Sequence, residues 1–272
     1  MNNFQNWWKD ARNRVDYSLR NLLRWQRRGL KFSGQPKQAV FDYLEPDKRI
    51  QAWESEALMR QMYHLEQFRD CATAINYREN LFYLHLLEGA FQRAQLVLPR
   101  EIQVVDIGPA HWFYVQALYA GLTWYQTTQA RDVRLSGYEA DAYHLFSNLH
   151  SRFDYARAHI RSLPVEYIPH EFIEQPGAYD LVCMFFPFVF LRDHLLWGIP
   201  RRNFDPLMLR KIAWNSVKPG GWWLLVNQGE AEHQAELELL AQLGIHPQIA
   251  YRHQSLLYPY RLERFVILVQ HA

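Results

Sequence analysis

The feature that most constrains this chain is a change of period. From residue 101 onward, short apolar runs at 103–107, 133–138, 165–168, 180–185 and 222–227 alternate with helical stretches. Runs of four to eight β-prone residues separated by helix-length segments predict βαβ units. The expected fold is therefore α/β: a doubly wound, mainly parallel sheet with helices on both faces. The last two runs, 248–253 and 264–270, are joined by about ten residues, too few for a helical crossover. They predict an antiparallel C-terminal strand pair at the sheet edge.

Residues 1–98 read differently. Trp53, Ala57, Leu58, Met62, Leu65 and Phe68 make one helical stripe, and Leu81, Leu84, Leu87, Phe91 and Ala94 make another. Asn76, with Glu79 three positions on, predicts a weak capping box at the start of the second helix. The expected domains are a helical N-terminal extension or cap over 1–98 and a Rossmann-like domain over 99–272. Asp205-Pro206 predicts another helix start, and Lys218-Pro219-Gly220-Gly221 a stop.

Charge is distributed unevenly. Residues 1–31 carry eight basic residues against Asp10 and Asp16, a net +6 in a chain whose formal net charge is +2. Phe4, Trp8, Ala11, Val15, Leu19 and Leu22 recur at spacings of three and four, one face of a helix. Such a helix can dock its apolar face on its own domain and leave a solvated basic face. It can also lie on an anionic membrane surface or grip phosphates. Peripheral membrane contact through residues 1–31 is thus one expectation.

Several classes fall away. The two cysteines, Cys71 and Cys183, cannot build a disulfide scaffold or a four-thiolate zinc site. The histidines lack ligand spacing supported by cysteine, so no metal is expected. The strongest apolar run, LVCMFFPFVFL at 181–191, is too short to span a bilayer and contains a proline. With no signal-peptide pattern at its start, the chain is expected to be soluble and cytoplasmic. No P-loop, GxSxG elbow or GxGxxG run occurs, which argues against NTPase, hydrolase and nicotinamide dehydrogenase readings.

The chemistry is expected where the first strand ends. Val104-Val105-Asp106-Ile107-Gly108-Pro109-Ala110-His111-Trp112 runs from strand through an acid into a small-residue turn and then a helix over 113–120. Ligands of open α/β sheets bind beyond the carboxyl ends of the strands. A glycine there lets backbone approach a ligand closely. The second strand ends in Gly137-Tyr138-Glu139-Ala140-Asp141, where a carboxylate can accept hydrogen bonds from ribose hydroxyls. Asp141 is expected to cap the next helix.

These residues resemble the class I S-adenosylmethionine-dependent methyltransferases. Asp106-Ile107-Gly108 is similar to the start of that family's strand–acid–glycine loop, and Glu139 to its ribose-binding acid. His170-Glu171-Phe172 resembles the end of its third strand, Tyr179-Asp180-Leu181-Val182 the start of its fourth, and Val217–Trp222 the turn before its fifth. The resemblance spans roughly residues 76–270. It implies S-adenosylmethionine as cofactor, with Asp106, Gly108, Ala110, Glu139 and Glu171 as cofactor-binding residues. Ala110 and Trp112 stand where the family carries its later glycines, and the interval to Glu139 is long, as from an insertion at 121–132. A helix over 76–95 would cover the pocket.

The acceptor site in that family lies near the end of the fourth strand. Here Phe186, Pro187 and Phe188 could wall a flat or apolar acceptor. Asp193 and His194 are the candidates for removing a proton, against a surface ion pair or helix cap as the plainer reading. His111 is expected to be solvated in its loop. The function expected is methyl transfer to a small-molecule substrate. Nucleic acid is not expected, since no compact basic and aromatic groove is visible in the domain. The alternative is a methyltransferase-like binding or scaffold protein without catalysis, motivated by Trp112 and the missing glycines.

Overall fold

The structure is a computed structural model that describes residues 3–271; of residues 3–5, Phe4 among them, only the backbone is described. The helices are α1 (Asn3–Leu23), α2 (Pro46–Met62), α3 (Glu66–Cys71), α4 (Ala74–Arg93), α5 (Val115–Trp124), α6 (Arg152–His159), α7 (Leu191–Leu196), α8 (Pro206–Asn215) and α9 (Glu230–Gln242). The strands are β1 (Glu101–Ile107), β2 (Asp132–Tyr138), β3 (Glu166–Ile168), β4 (Tyr179–Phe185), β5 (Val217–Gln228), β6 (Ile249–His253) and β7 (Arg264–Gln270). They form one seven-stranded sheet in the order β3-β2-β1-β4-β5-β7-β6. Strands β1 to β5 are parallel, and β7 runs antiparallel to both β5 and β6. The fold class is the one expected, with β7 inserted between β5 and the edge strand β6.

Alternation along each strand divides the core in two. Val104, Leu135, Leu181, Cys183, Leu224 and Val266 face one way, into a cluster shared with α4 and α5. Val105, Val182, Met184, Trp223, Leu225 and Ile267 face the other way, toward α8 and α9. The first cluster runs from Val40 to Leu268, so α2 and α4 share a core with the sheet.

Helix starts follow side-chain chemistry. Asp205 accepts from the Met208 N–H at 2.9 Å ahead of Pro206, as the sequence predicts. Thr73, not Asn76, caps α4, its hydroxyl accepting from the Asn76 N–H at 3.2 Å. Ser151 and Asp154 form a reciprocal capping box on α6. Asp141 therefore does not cap that helix. It is fully buried and paired with Arg152 at 2.9 Å and Arg20 at 2.6 Å. The 218–221 segment is not a helix stop but the entry of β5, since α8 already ends at Asn215. Residues 121–124 complete α5, leaving only the rest of the expected insertion as a loop.

The largest departure is α1. Its apolar stripe does not dock: Trp8, Val15, Leu19 and Leu22 are exposed. The face that packs on the body is polar, through Asp10, Asn13, Tyr17 and Arg20. The reason lies in what it meets. The segment around α7 offers carbonyls with acceptor capacity to spare, and Asn13 donates to those of Leu195 (2.8 Å) and Ile199 (3.2 Å). Arg20 donates to that of Gly198 at 2.6 Å. Buried carbonyls demand donors more strongly than an apolar stripe demands cover.

Candidate functional site

The strand order reverses between β1 and β4, so the loops leaving their carboxyl ends part there, the place where open α/β sheets bind ligands. Asp106, one residue before the end of β1, has its carboxyl fully buried. Its Oδ2 accepts from Trp112 Nε1 and from the Tyr114 hydroxyl, each at 2.8 Å, while Oδ1 is buried without a partner. Burial pushes the Asp106 carboxyl up to about 7, a rise tempered by those two donors.

The turn that follows is built on left-handed backbone. Gly108, Ala110 and Trp112 have φ of +75°, +54° and +54°. Ala110 and Trp112 thus hold a conformation that favours glycine, at a cost of about 1–2 kcal/mol for each. Space above Gly108 is open: a Cβ added there would meet nothing within 4 Å. Ala110 is clamped, its N–H donating to Glu139 Oε2 at 2.8 Å and its carbonyl accepting from the Tyr167 hydroxyl at 2.6 Å.

Trp112 is not on a helix, because α5 begins at Val115. Its indole folds down from the turn into the core. Asp106, Gly137 and Tyr167 stand side by side in register on β1, β2 and β3. The ring lies along that row, with its nitrogen on Asp106 and its benzo edge over Gly137. His111 is not solvated either. It stacks on Phe113, with centroids 5.3 Å apart, beside Phe146, Tyr155 and His159, and burial pushes its imidazole down to about 4.

Glu139, at the end of β2, is buried. Its Oε1 accepts from the Asp141 N–H at 2.8 Å while Oε2 holds Ala110. Burial raises its carboxyl, offset in part by Arg152. Helix α1 lies across this end. The Tyr17 hydroxyl donates to the Ala140 carbonyl at 3.2 Å, and burial together with the field of Asp141, Glu171 and Glu139 raises it. Glu171 itself is exposed in the loop after β3.

Past β4 the aromatic run separates. Phe185 packs on Tyr114 at 4.3 Å. Phe186 sits at φ +60° and turns toward Arg264, whose guanidinium lies 4.8 Å from its ring. Pro187 is buried, and Phe188 packs on His194 and Trp197. His194 is neither a surface ion-pair partner nor a cap. It is buried between Phe188 and Phe204 with Nε2 3.0 Å from the Pro200 carbonyl, and burial lowers its imidazole.

Strands β1, β2 and β4 thus bring Asp106, Gly108, Ala110 and Glu139 together and set Phe186 beside them through Tyr83 and Phe185. Asp193 and His194 lie apart in α7. Sequence reasoning missed a second group. Tyr83 and Glu79 from α4 meet Tyr260 and Arg264 from the β6–β7 end. Arg264 stacks 4.0 Å above the Tyr260 ring, and the Tyr260 hydroxyl donates to Glu79 at 3.3 Å. Burial raises the Glu79 carboxyl. Helix α4 also reaches the β1 turn, where Asn76 and Asn80 donate to the Phe113 carbonyl at 2.9 and 2.8 Å. Among the described residues no group of three or more His, Cys, Asp or Glu is placed to hold a metal ion.

No family model matches the sequence, and no curated protein does. Solved structures with a similar chain path include a SAM-dependent methyltransferase from Aquifex aeolicus, at 14% identity over 70% of this chain and 92% of that one, TM-score 0.48. A SAM-dependent methyltransferase from Leishmania major pairs at 13% identity over 69% and 73%, TM-score 0.45. The [4+2]-cyclase SpnF pairs at 12% identity over 69% and 80%, TM-score 0.46. At these scores none of the three fixes what this chain does.

Proposed function

We propose that this chain is an S-adenosylmethionine-dependent methyltransferase acting on a small-molecule acceptor. One observation carries the reading. Gly108, in left-handed backbone under open space, follows Asp106, whose buried Oδ1 has no partner, in the turn that Glu139 holds through the Ala110 N–H. A cationic, hydroxyl-bearing nucleoside suits an open turn that has one unpartnered carboxyl oxygen and a second carboxylate beside it. The residues present therefore fit the cofactor that the sequence resemblance implies.

That cofactor supplies a methyl group already activated by the positive charge on its sulfur. The chain's work is to bind, align and exclude water. Asp106 Oδ1 accepts from a cationic donor, which replaces its missing partner. Glu139 retains acceptor capacity toward hydroxyls beyond the two backbone N–H groups it holds. Glu171 stands at the rim beside Tyr17. At the acceptor end, the half-buried Phe186 offers an aromatic wall backed by the buried Tyr83, Pro187 and Phe188 continue the segment, and the half-buried Glu79, with its raised carboxyl, is the acid assigned to take a proton. His194 is committed to the Pro200 carbonyl, which argues against it and its neighbour Asp193 in that role.

A second reading has its own support. Asp106 Oδ2 and both oxygens of Glu139 are satisfied by the chain itself, so the turn is self-sufficient without ligand. A methyltransferase-like binding or scaffold module needs nothing more. Calorimetry and thermal melts with S-adenosylmethionine and S-adenosylhomocysteine decide between the two. At about 100 times its dissociation constant a bound cofactor adds about 2.7 kcal/mol, a shift of several degrees. The shift is expected in the parent and lost in Glu139→Gln. No heat and no shift at millimolar cofactor would overturn the enzymatic reading and leave the scaffold one.

A further inference from the structure

We infer that the outward face of α1 is a docking surface for an anionic lipid bilayer. An amphipathic helix on a protein normally buries its apolar stripe and shows its polar one. Helix α1 does the reverse. Asp10, Asn13, Tyr17 and Arg20, spaced at three and four, are spent on Arg201, Leu195, Ala140 and Asp141. At 100° per residue the opposite side carries Trp8, Val15, Leu19 and Leu22, exposed by 58%, 59%, 50% and 78%. Leu23 closes the helix and Trp25 follows it, both exposed, and the Trp25 indole N–H is held on the Leu149 carbonyl at 3.1 Å, next to a side chain that is itself exposed. Six large apolar residues projecting from one ridge exceed the scattered exposure of an ordinary surface.

Charge names the occupant. Arg12 and Arg14 flank the stripe, and Arg24, Arg27, Arg28 and Lys31 follow it. The segment's only acids, Asp10 and Asp16, are already paired with Arg14 and Arg12. Tryptophan at the rim and arginine beside leucine are the composition of a helix lying in the headgroup layer of a negative membrane. Among the described residues no helix is long and apolar enough to cross a membrane, so α1 lies on the bilayer and does not span it. The docked polar face keeps the body fixed to the helix while the apolar face enters the lipid. The inference does not depend on the enzymatic reading.

The test is co-sedimentation of the full chain with vesicles of phosphatidylcholine alone and with about 30% phosphatidylserine, with tryptophan emission read in parallel. Binding to the anionic vesicles with a blue shift is expected, at least about tenfold weaker on neutral vesicles and weakened by salt. Leu19→Glu/Leu22→Glu should reduce binding at least about tenfold with the melting temperature unchanged, because neither side chain supports the fold. Arg24→Gln/Arg28→Gln should cost about fivefold per charge. No binding to anionic vesicles, equal binding to neutral ones, or parent-like binding by the leucine variant would overturn the inference. So would a dimer in sedimentation velocity that the leucine variant dissolves, since the face would then belong to a second copy.

Discussion

The benzo ring of Trp112 lies where residue 137 would carry its Cβ. An alanine carbon built on Gly137 would come within 2.8 Å of Cη2 and 2.9 Å of Cζ2. Neither partner can yield easily, since the indole is also hydrogen-bonded to Asp106 and fully buried. Gly137→Ala should therefore destabilise the fold by about 1–3 kcal/mol through overpacking. Trp112→Leu alone should cost about 3 kcal/mol or more for the cavity and the partner lost by Asp106. The double variant should be more stable than the sum of the two, a coupling that urea midpoints of the four proteins measure.

Gly137 also carries its own sign in the sequence. A glycine inside a strand marks a close approach, and the strand itself was legible from its apolar run. The sheet could be read because period and turn chemistry are local. The turn after β1 could be located, and with it Asp106, Gly108 and Glu139. What could not be read depends on partners far along the chain. Tyr17 meets Ala140, Arg20 meets Asp141, and Glu79 meets Tyr260, each across more than 120 residues. An apolar stripe on α1 says that the face wants cover but not whether the body supplies it. The polar stripe Asp10, Asn13, Tyr17 and Arg20 had the same helical spacing, and the carbonyls around α7 decided which face docked.

Ala110 holds a left-handed φ of +54° at a position the resemblance assigns to glycine. Relief of about 1–2 kcal/mol of steric cost outweighs the extra unfolded-state freedom of glycine, about 0.4–1 kcal/mol. Ala110→Gly should thus raise stability by about 0.5 kcal/mol or more. Ala110→Val, branched at the same φ, should lower it. Melting curves of the two variants give opposite signs if the conformation is as described.

Asp106 ties stability to pH. Its folded pKa of about 7 lies above the ordinary carboxylate value of 3.8. Between those values the folded chain holds a proton that the unfolded chain has released. Stability from this group is full below about 4 and is lost as pH rises through 7, by a few kcal/mol. Asp106→Asn keeps an acceptor for Trp112 and Tyr114 and should be relatively more stable at pH 8 than at pH 5. If the proposed cofactor binds, its cation should expel that proton. Calorimetry at pH 6 in buffers of different ionisation enthalpy should then show proton release, absent in Asp106→Asn.

Arg210 and Glu236 form a buried two-pronged pair between α8 and α9, at 2.9 and 2.6 Å, both with fully buried side chains. Arg210→Met leaves Glu236 charged in the core and should cost about 3–5 kcal/mol. The double variant Arg210→Met/Glu236→Leu removes both charges and should recover most of that loss. Denaturant midpoints of the three variants would show whether the pair stabilises the chain or only penalises its own disruption.

Three histidines give the opposite pH dependence to Asp106. Burial holds His111 near 4 and His159 and His253 near 3, all below the ordinary 6.5. His159 stacks on Phe32 at 4.4 Å, and His253 has Nε2 3.2 Å from His85 Nδ1. As pH falls below 6.5 the unfolded chain takes up protons that the folded chain refuses. Their contribution is complete above 6.5 and drains away toward 4 and below. These histidines, with His85, His194 and His233 also lowered by burial, oppose the raised carboxyls of Asp106, Glu139, Glu79 and Glu232, and the more numerous histidines should make the fold lose stability from pH 6.5 to 4. His159→Phe preserves a ring against Phe32 and removes one titrating site. At pH 5 its unfolding should take up about one proton fewer than the parent's, read from the slope of stability against pH. An unchanged slope would mean that His159 already accepts its proton in the folded chain.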